Sequence, residues 1–251
     1  MIECKGLTKR YDRKIAVSDV NLSIGKGIIY GFLGTNGAGK TTTIKMLTGQ
    51  LDITSGTAEI NGIDIRQNPV EVKRQIGIVP DEPKIYPYFT GNEFIQFILD
   101  LFKLNNKTTR KDFHELCDAF DIDFLNVPIS DMSHGMKQKI MVTSVLMRKP
   151  TVIFLDEPTV GLDARSSRII KDLLKKRANE GATIFLTTHV LEIAQKMCDR
   201  IGILDKGVLM TEGTMEELRR KRNMDDSTSL EDLFLALTDQ AEDVQKIVDA
   251  L

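Results

Sequence analysis

Gly34-Thr35-Asn36-Gly37-Ala38-Gly39-Lys40-Thr41 follows the apolar run Ile28–Leu33 and leads into Thr42-Thr43-Ile44-Lys45-Met46-Leu47. The spacing G-x-x-x-x-G-K-[ST] between a strand and a helix makes a loop whose backbone N–H groups converge on a phosphate chain, with the positive end of the helix behind them. Asn36, Gly37, Ala38, Gly39, Lys40, Thr41 and Thr42 are therefore the candidate phosphate-binding positions. Lys40 reaches for β- and γ-phosphates, and the Thr41 hydroxyl for Mg²⁺. A glycine-rich turn that binds nothing would match this pattern by chance, in a chain of this length, on the order of once in a hundred.

Outward from that loop, Ile76–Val79, Val152–Leu155, Thr183–Thr188 and Ile201–Leu204 are short continuous apolar runs, as expected of strands buried on both faces in a parallel sheet. The beginning of the chain alternates instead, with Ile2, Cys4, Ala16, Val20, Leu22 and Ile24 expected to face inward. Asn61-Gly62, between Ala58-Glu59-Ile60 and Ile63-Asp64-Ile65, predicts a hairpin. The pattern is an α/β fold: a mostly parallel sheet core edged by a small antiparallel β subdomain.

The middle of the chain reads as helical. Thr90 and Glu93 have capping-box spacing ahead of Phe94, Phe97, Ile98 and Leu101. Thr109 is expected to cap a helix with the stripe Phe113, Leu116, Cys117, Phe120, and Ser133 to open one that turns Ile140, Met141 and Val145 inward. Residues 87–149 thus form an expected helical subdomain, inserted into a core made of residues 1–86 and 150–218. After Gly213 the chain is expected to turn helical again, with cap signals at Thr214…Glu217, Ser229…Asp232 and Asp239…Glu242, the second followed by Leu230, Leu233, Phe234 and Leu237; residues 219–251 are the expected C-terminal tail. The run Arg219-Arg220-Lys221-Arg222 reads as a solvated helix face.

Composition narrows the function classes. The 251 residues are 41% hydrophobic and 28% charged, the balance of a globular protein. Lys and Arg number 34 against 36 Asp and Glu, so no basic footprint for nucleic acid is present. The longest uncharged stretch, Gly27 to Gly39, is shorter than the ~20 apolar residues of a membrane-spanning helix. Met1–Gly6 lacks the apolar core of an export signal, and Cys4, Cys117 and Cys198 form neither a metal-binding pair nor a disulfide framework.

A second chemical signal lies at Val152-Ile153-Phe154-Leu155-Asp156-Glu157, where a buried strand ends in two acids. Beside a phosphate loop, those acids have work: Asp156 in the Mg²⁺ sphere and Glu157 activating water. His189, at the end of the Thr183–Thr188 run, lies where ligands bind parallel sheets. Asp163 precedes a helical stretch and serves as its N-cap.

Together these motifs resemble those of ATP-binding cassette (ABC) proteins, over about residues 1–238. Gly34–Thr42 looks like Walker A, Val152–Pro158 like Walker B, and Met132-Ser133-His134-Gly135-Met136-Lys137-Gln138-Lys139 like the signature usually written L-S-G-G-Q. Gly161-Leu162-Asp163 resembles the D-loop, Thr188-His189 the switch histidine, and Ile78-Val79-Pro80-Asp81 the Q-loop. The resemblance implies a P-loop NTPase core that binds ATP and Mg²⁺ and hydrolyses ATP. Tyr11 would stack on adenine with Val17 beside it, and His189 would contact the γ-phosphate. Thr41, Asp81 and Asp156 would surround the metal. Ser133, Gly135 and Asp163 would complete the site of a partner in an ATP-bound homodimer.

Two departures stand out. His134 and Met136 replace the usual Gly and Gln of the signature, and Asp81 replaces the Q-loop Gln, with Glu82 as the neighbouring alternative. The Ser-His-Gly-Met sequence is similar to single-cassette bacterial subunits of the Ecs and ABC-2 types. That resemblance implies an ATPase subunit peripheral to the cytoplasmic face of the membrane, serving an integral membrane transporter subunit in a separate chain. The apolar residues of Phe94–Phe102, preceded by Tyr86, Tyr88 and Phe89, are the expected docking surface. A soluble cassette for cofactor assembly, and an ATP-binding regulatory module with little turnover, are the alternatives.

Overall fold

A computed structural model describes residues 1–225 and 227–238 of the chain. Its strands are β1 (Ile2–Tyr11), β2 (Lys14–Ile24), β3 (Ile29–Gly34), β4 (Ser55–Ile60), β5 (Ile63–Asp64), β6 (Ile76–Val79), β7 (Val152–Asp156), β8 (Thr183–Thr187), β9 (Arg200–Asp205) and β10 (Val208–Gly213). The helices are α1 (Lys40–Leu47), α2 (Pro69–Gln75), α3 (Gly91–Leu101), α4 (Lys107–Phe120), α5 (His134–Leu146), α6 (Ala164–Asn179), α7 (Leu191–Met197), α8 (Met215–Lys221) and α9 (Leu230–Leu237).

The continuous apolar runs pair as their composition requires. They build a sheet of order β10-β9-β3-β8-β7-β6, in which every neighbour pair is parallel except β10 with β9. Every residue of β3, β7 and β8 is buried. Successive side chains on these strands feed two different cores, because strand residues alternate between faces. Ile153, Leu155, Ile184 and Leu186 join a cluster with Phe94, Phe113, Phe120 and Ile140 of the helical stretch. Val152, Phe154 and Phe185 face the other way, with Tyr30, Phe32 and the apolar residues of β1 and β2. There Phe185 packs against Tyr30, Phe32 and Phe154 at ring separations of 5.6, 5.3 and 5.5 Å. The helical stretch and one face of the sheet therefore share a single apolar cluster.

The antiparallel sheet has the order β2-β1-β4-β5. Asn61 (φ 52°) and Gly62 (φ 80°) make the two-residue turn from β4 to β5, as their sequence predicts. In β2 the inward residue is Val17 rather than Ala16: Asp19 adopts φ 51°, and the register slips between Leu7–Val20 and Lys9–Val17. Such a bulge exchanges which residues face inward.

Capping boxes open α3, α8 and α9 at Thr90, Thr214 and Ser229, and Ser133 caps α5 by accepting from Met136 N–H. The expected cap at Thr109 is corrected by one turn. Asn106 starts α4 by accepting from Thr109 N–H at 3.0 Å, and Thr109 is buried in the first turn. Asn is at least as good a cap as Thr, and Asn106 has the required three-residue spacing. Leu230, Leu233, Phe234 and Leu237 pack with Leu33, Ile201 and Ile203 of the sheet. The expected helix from Asp239 lies outside the described residues.

Candidate functional site

The carboxyl ends of β3, β7 and β8 lie side by side, so the loops leaving them meet at one edge of the sheet. The phosphate-loop sequence leaves β3. Gly39 is the N-cap of α1, with φ 111°. A Cβ there would stand 2.6 Å from the Ala16 carbonyl oxygen and 3.2 Å from Val17 Cγ2, so both conformation and space demand glycine. The loop is tied to its surroundings through backbone: Gly207 N–H donates to Ala38 O at 2.9 Å, and Ser18 N–H donates to Gly207 O at 2.8 Å. Val17 is wholly buried beneath the loop. Tyr11 pairs with Lys14 on the same β1–β2 ladder, its ring 46% exposed with the Lys9 ammonium 5.1 Å from the centroid.

Lys40 is folded back on its own loop, donating to Gly34 O at 2.8 Å and Thr35 O at 3.1 Å. Burial lowers its pKa, while Glu157 and Asp156 pull in the opposite direction. Thr41 Oγ1 donates to Asp156 Oδ2 at 2.8 Å. The other oxygen of Asp156, Oδ1, accepts from the Thr187 hydroxyl. Asp156 is itself 6% exposed, a buried carboxylate whose two oxygens are both held by hydroxyls.

Glu157 follows at φ 50°, its N–H donating to Thr187 O at 3.2 Å. His189 Nδ1 lies 3.0 Å from Glu157 Oε2, with the imidazole more than half exposed. The site thus brings Lys40, Thr41, Asp156, Glu157 and His189 together. Asp81, beyond β6, joins this group electrostatically: burial raises its pKa, and the charges of Asp156 and Glu157 add to the shift. A cavity of about 500 Å³ next to the phosphate loop is lined by Thr41, Asp81, Glu82 and Asp156. Asn36 and Gly37 are exposed at the loop tip, and Thr42 is half-buried on α1.

Ser133 and Gly135 are not part of this group. Among the described residues, no hydrogen bond joins either of them to the phosphate loop. Gly135 instead lies against the loop after β7, where a Cβ would stand 2.7 Å from Gly161 O. Asp163 caps α6: its Oδ1 accepts from Ser166 N–H at 2.7 Å, and its Oδ2 takes the Ser166 hydroxyl at 2.8 Å and Lys139 Nζ at 3.3 Å. The Ser166 bonds, with Lys139, hold its carboxyl down at about 2.

Two participants were not foreseen from sequence. Thr187 positions Asp156, and its signal was a hydroxyl closing an otherwise apolar run. Gln138 is fully buried, its Nε2 donating to Pro158 O at 3.4 Å while Oε1 has no partner among the described residues; its only signal was a polar residue on the inward stripe of α5.

Comparison with known proteins agrees with this geometry. The family model described as "ABC transporter" matches residues 17–160. The chain is 31% identical over 239 residues to the ABC-type transporter ATP-binding protein EcsA of Bacillus subtilis, covering 95% of this chain and 96% of that one. A solved structure described as the ATP binding subunit of an ABC transporter superposes with a TM-score of 0.91 at 29% identity, over 94% of this chain and 99% of that one. A dimeric post-hydrolysis cassette, MJ0796 bound to ADP and Pi, gives a TM-score of 0.78 at 26% identity, over 86% of this chain and 99% of that one. The chain belongs to the ABC transporter family, as one of its ATP-hydrolysing cassettes.

Proposed function

We propose that Glu157 is the general base of ATP hydrolysis and that this chain powers an integral membrane subunit carried by a separate polypeptide. The pair that carries this reading is Glu157 with His189, 3.0 Å apart beside Lys40 and Asp156. Lys40 leaves its loop carbonyls for the β- and γ-phosphates, Glu157 takes a proton from the attacking water, and His189 orients both. The inward carbonyls that now hold Lys40 stand in for phosphate oxygens.

Mg²⁺ fits the donor set. Among the described residues no group of three or more His, Cys, Asp or Glu side chains is gathered for a metal. Thr41 and Asp156 offer hard oxygen donors, with Asp81 lining the same cavity. A protein that supplies only one or two carboxylates and leaves the rest to phosphate and water is what Mg²⁺ prefers. When bound, the ion neutralises phosphate charge. Asp81 and Glu82 both line this cavity, and Asp81 holds the position that resembles the Q-loop Gln.

The membrane partner is supported by an exposed aromatic cluster. Of helix α3, Phe94, Ile95 and Leu99 face the core, leaving Phe97 at 38% and Leu101 at 60% exposure. Tyr86 (58% exposed) packs on Phe89 and Phe97 at 5.2 and 5.8 Å, and Tyr88 is 93% exposed. Aromatic surface left open in this way is suited to a helix of another chain. No helix among the described residues is long and apolar enough to cross a membrane. The chain then works peripherally on the cytoplasmic face, as an ATP-bound homodimer, with residues 87–149 acting as one helical unit. The test is to isolate the chain from native membranes. Retention of an integral membrane protein, lost when Tyr88 and Leu101 are replaced by Asp, supports the assignment; recovery of the chain with soluble partners alone overturns it.

A further inference from the structure

One face of the start of α5 is pressed against the loop that follows Glu157. His134, Gly135, Gln138 and Lys139 all lie on that face. The His134 ring sits on Gly161 so closely that a Cβ at 161 would fall 2.5 Å from His134 Cδ2. Gly135 abuts Gly161 O, Gln138 Nε2 reaches Pro158 O at 3.4 Å, and Lys139 Nζ reaches Asp163 Oδ2 at 3.3 Å.

The loop itself consists of two overlapping turns. Val160 N–H donates to Glu157 O at 3.2 Å, and Leu162 N–H donates to Thr159 O at 3.3 Å. Gly161, with φ 76°, is the third residue of the second turn, where a positive φ is required. Glu157, with φ 50°, is the first residue of the first turn. Two backbone hydrogen-bonded turns, with no unpaired linker between them, thus connect Gly161 to Glu157.

We propose that His134 is a positioning residue for hydrolysis. Its ring sets the distance between the start of α5 and Gly161, and through the two turns it fixes the pose of the Glu157 carboxylate. The role is one of shape. It rests on the reading of Glu157 as general base and adds a residue whose contact is with Gly161 rather than with Glu157 itself.

The experiment combines steady-state ATP turnover with binding of a fluorescent ATP analogue to the full chain. His134→Ala is expected to leave analogue affinity and KM within about twofold and to lower kcat by about tenfold to 10²-fold, the cost of a sub-ångström to ångström misplacement. His134→Phe keeps the ring and is expected to retain most of kcat. Gly161→Ala is expected to lower kcat through both its positive φ and the clash of its methyl with the ring, and adding His134→Ala, which relieves the clash alone, restores part of the loss. Each variant must melt within a few degrees of wild type, and Glu157→Gln serves as reference. Wild-type kcat in His134→Ala, a His134→Phe enzyme as poor as His134→Ala, or no recovery in the double variant would overturn the proposal. If Glu157→Gln itself turned over normally, the general-base reading would fail instead.

Discussion

Thr41 Oγ1 and Asp156 Oδ2, 115 positions apart in the chain, are joined by a 2.8 Å hydrogen bond across the phosphate loop and the end of β7. The bond places a hydroxyl and a carboxylate from two different motifs on one point, which would offer a hard cation two oxygen donors. Lys40 is the third member of that group, since Asp156 and Glu157 both act on its charge.

Lys40→Ala is expected to abolish ATP hydrolysis and strongly weaken nucleotide binding, because it removes the cation nearest the β- and γ-phosphates. Isothermal titration with ATP and a phosphate-release assay check both parts. Hydrolysis near the wild-type rate would remove Lys40 from the site.

Glu157→Gln keeps the size of the side chain and its backbone bond to Thr187, so ATP binding should persist. Turnover should fall by roughly 10²–10⁴, the range for loss of a general base. Equal losses in binding and turnover would point to a collapsed site instead.

Much of this site is legible in the sequence because its chemistry is local. A glycine-lysine-threonine loop and an Asp-Glu strand end each fall within a few consecutive residues, and buried parallel strands carry unbroken apolar runs. The exceptions depend on contacts between distant segments. The Asp19 bulge that turns Val17 inward leaves no mark in an alternating pattern. Asn106 and Thr109 both have cap chemistry, and only the start of the helix decides between them. Thr187 matters because β8 lies beside β7, a neighbour relation that no single segment encodes.

Asp81→Gln should leave ATP affinity within about threefold, since Asp81 is outside the phosphate loop, while raising the Mg²⁺ concentration needed for half-maximal turnover about two- to fivefold by removing a carboxylate from the cavity. A Mg²⁺ titration at saturating ATP measures this. An unchanged titration would release Asp81 from any role toward the metal.

The thiols should be inert in the native chain. Burial pushes Cys4 and Cys198 up to about 12 and Cys117 up to about 11, from a reference of 9.0. At pH 8 almost none of the nucleophilic thiolate exists. Ellman's reagent should label no cysteine until denaturant is added, and then all three. The linkage has a definite sign: above pH ~9 the unfolded chain loses thiol protons that the folded chain keeps, so stability falls as pH rises further. Rapid labelling of native protein at pH 8 would contradict this burial.

The homodimer is the last expectation, and the geometry selects its test. Gly135 lies against the Gly161 loop of its own protomer, and among the described residues neither it nor Ser133 has a hydrogen bond to that protomer's phosphate loop. Two-fold pairing would let the start of α5 face the partner's phosphate loop, the same patch being used twice. A helix N-terminus of this kind favours an anion, which the γ-phosphate provides and ADP lacks. A bulky residue at Gly135 is a poor probe, because it would strike Gly161 O within its own chain. Ser133→Asp is cleaner. Aspartate is as good an N-cap as serine, so α5 should form unchanged, but a carboxylate would now oppose the incoming phosphate. In a Glu157→Gln background, which slows hydrolysis, sedimentation should show a dimer with ATP and a monomer with ADP or no nucleotide. Adding Ser133→Asp should give a monomer even with ATP, while ATP still binds the phosphate loop. A dimer indifferent to nucleotide, or one that survives Ser133→Asp, would rule out a shared ATP site for this chain.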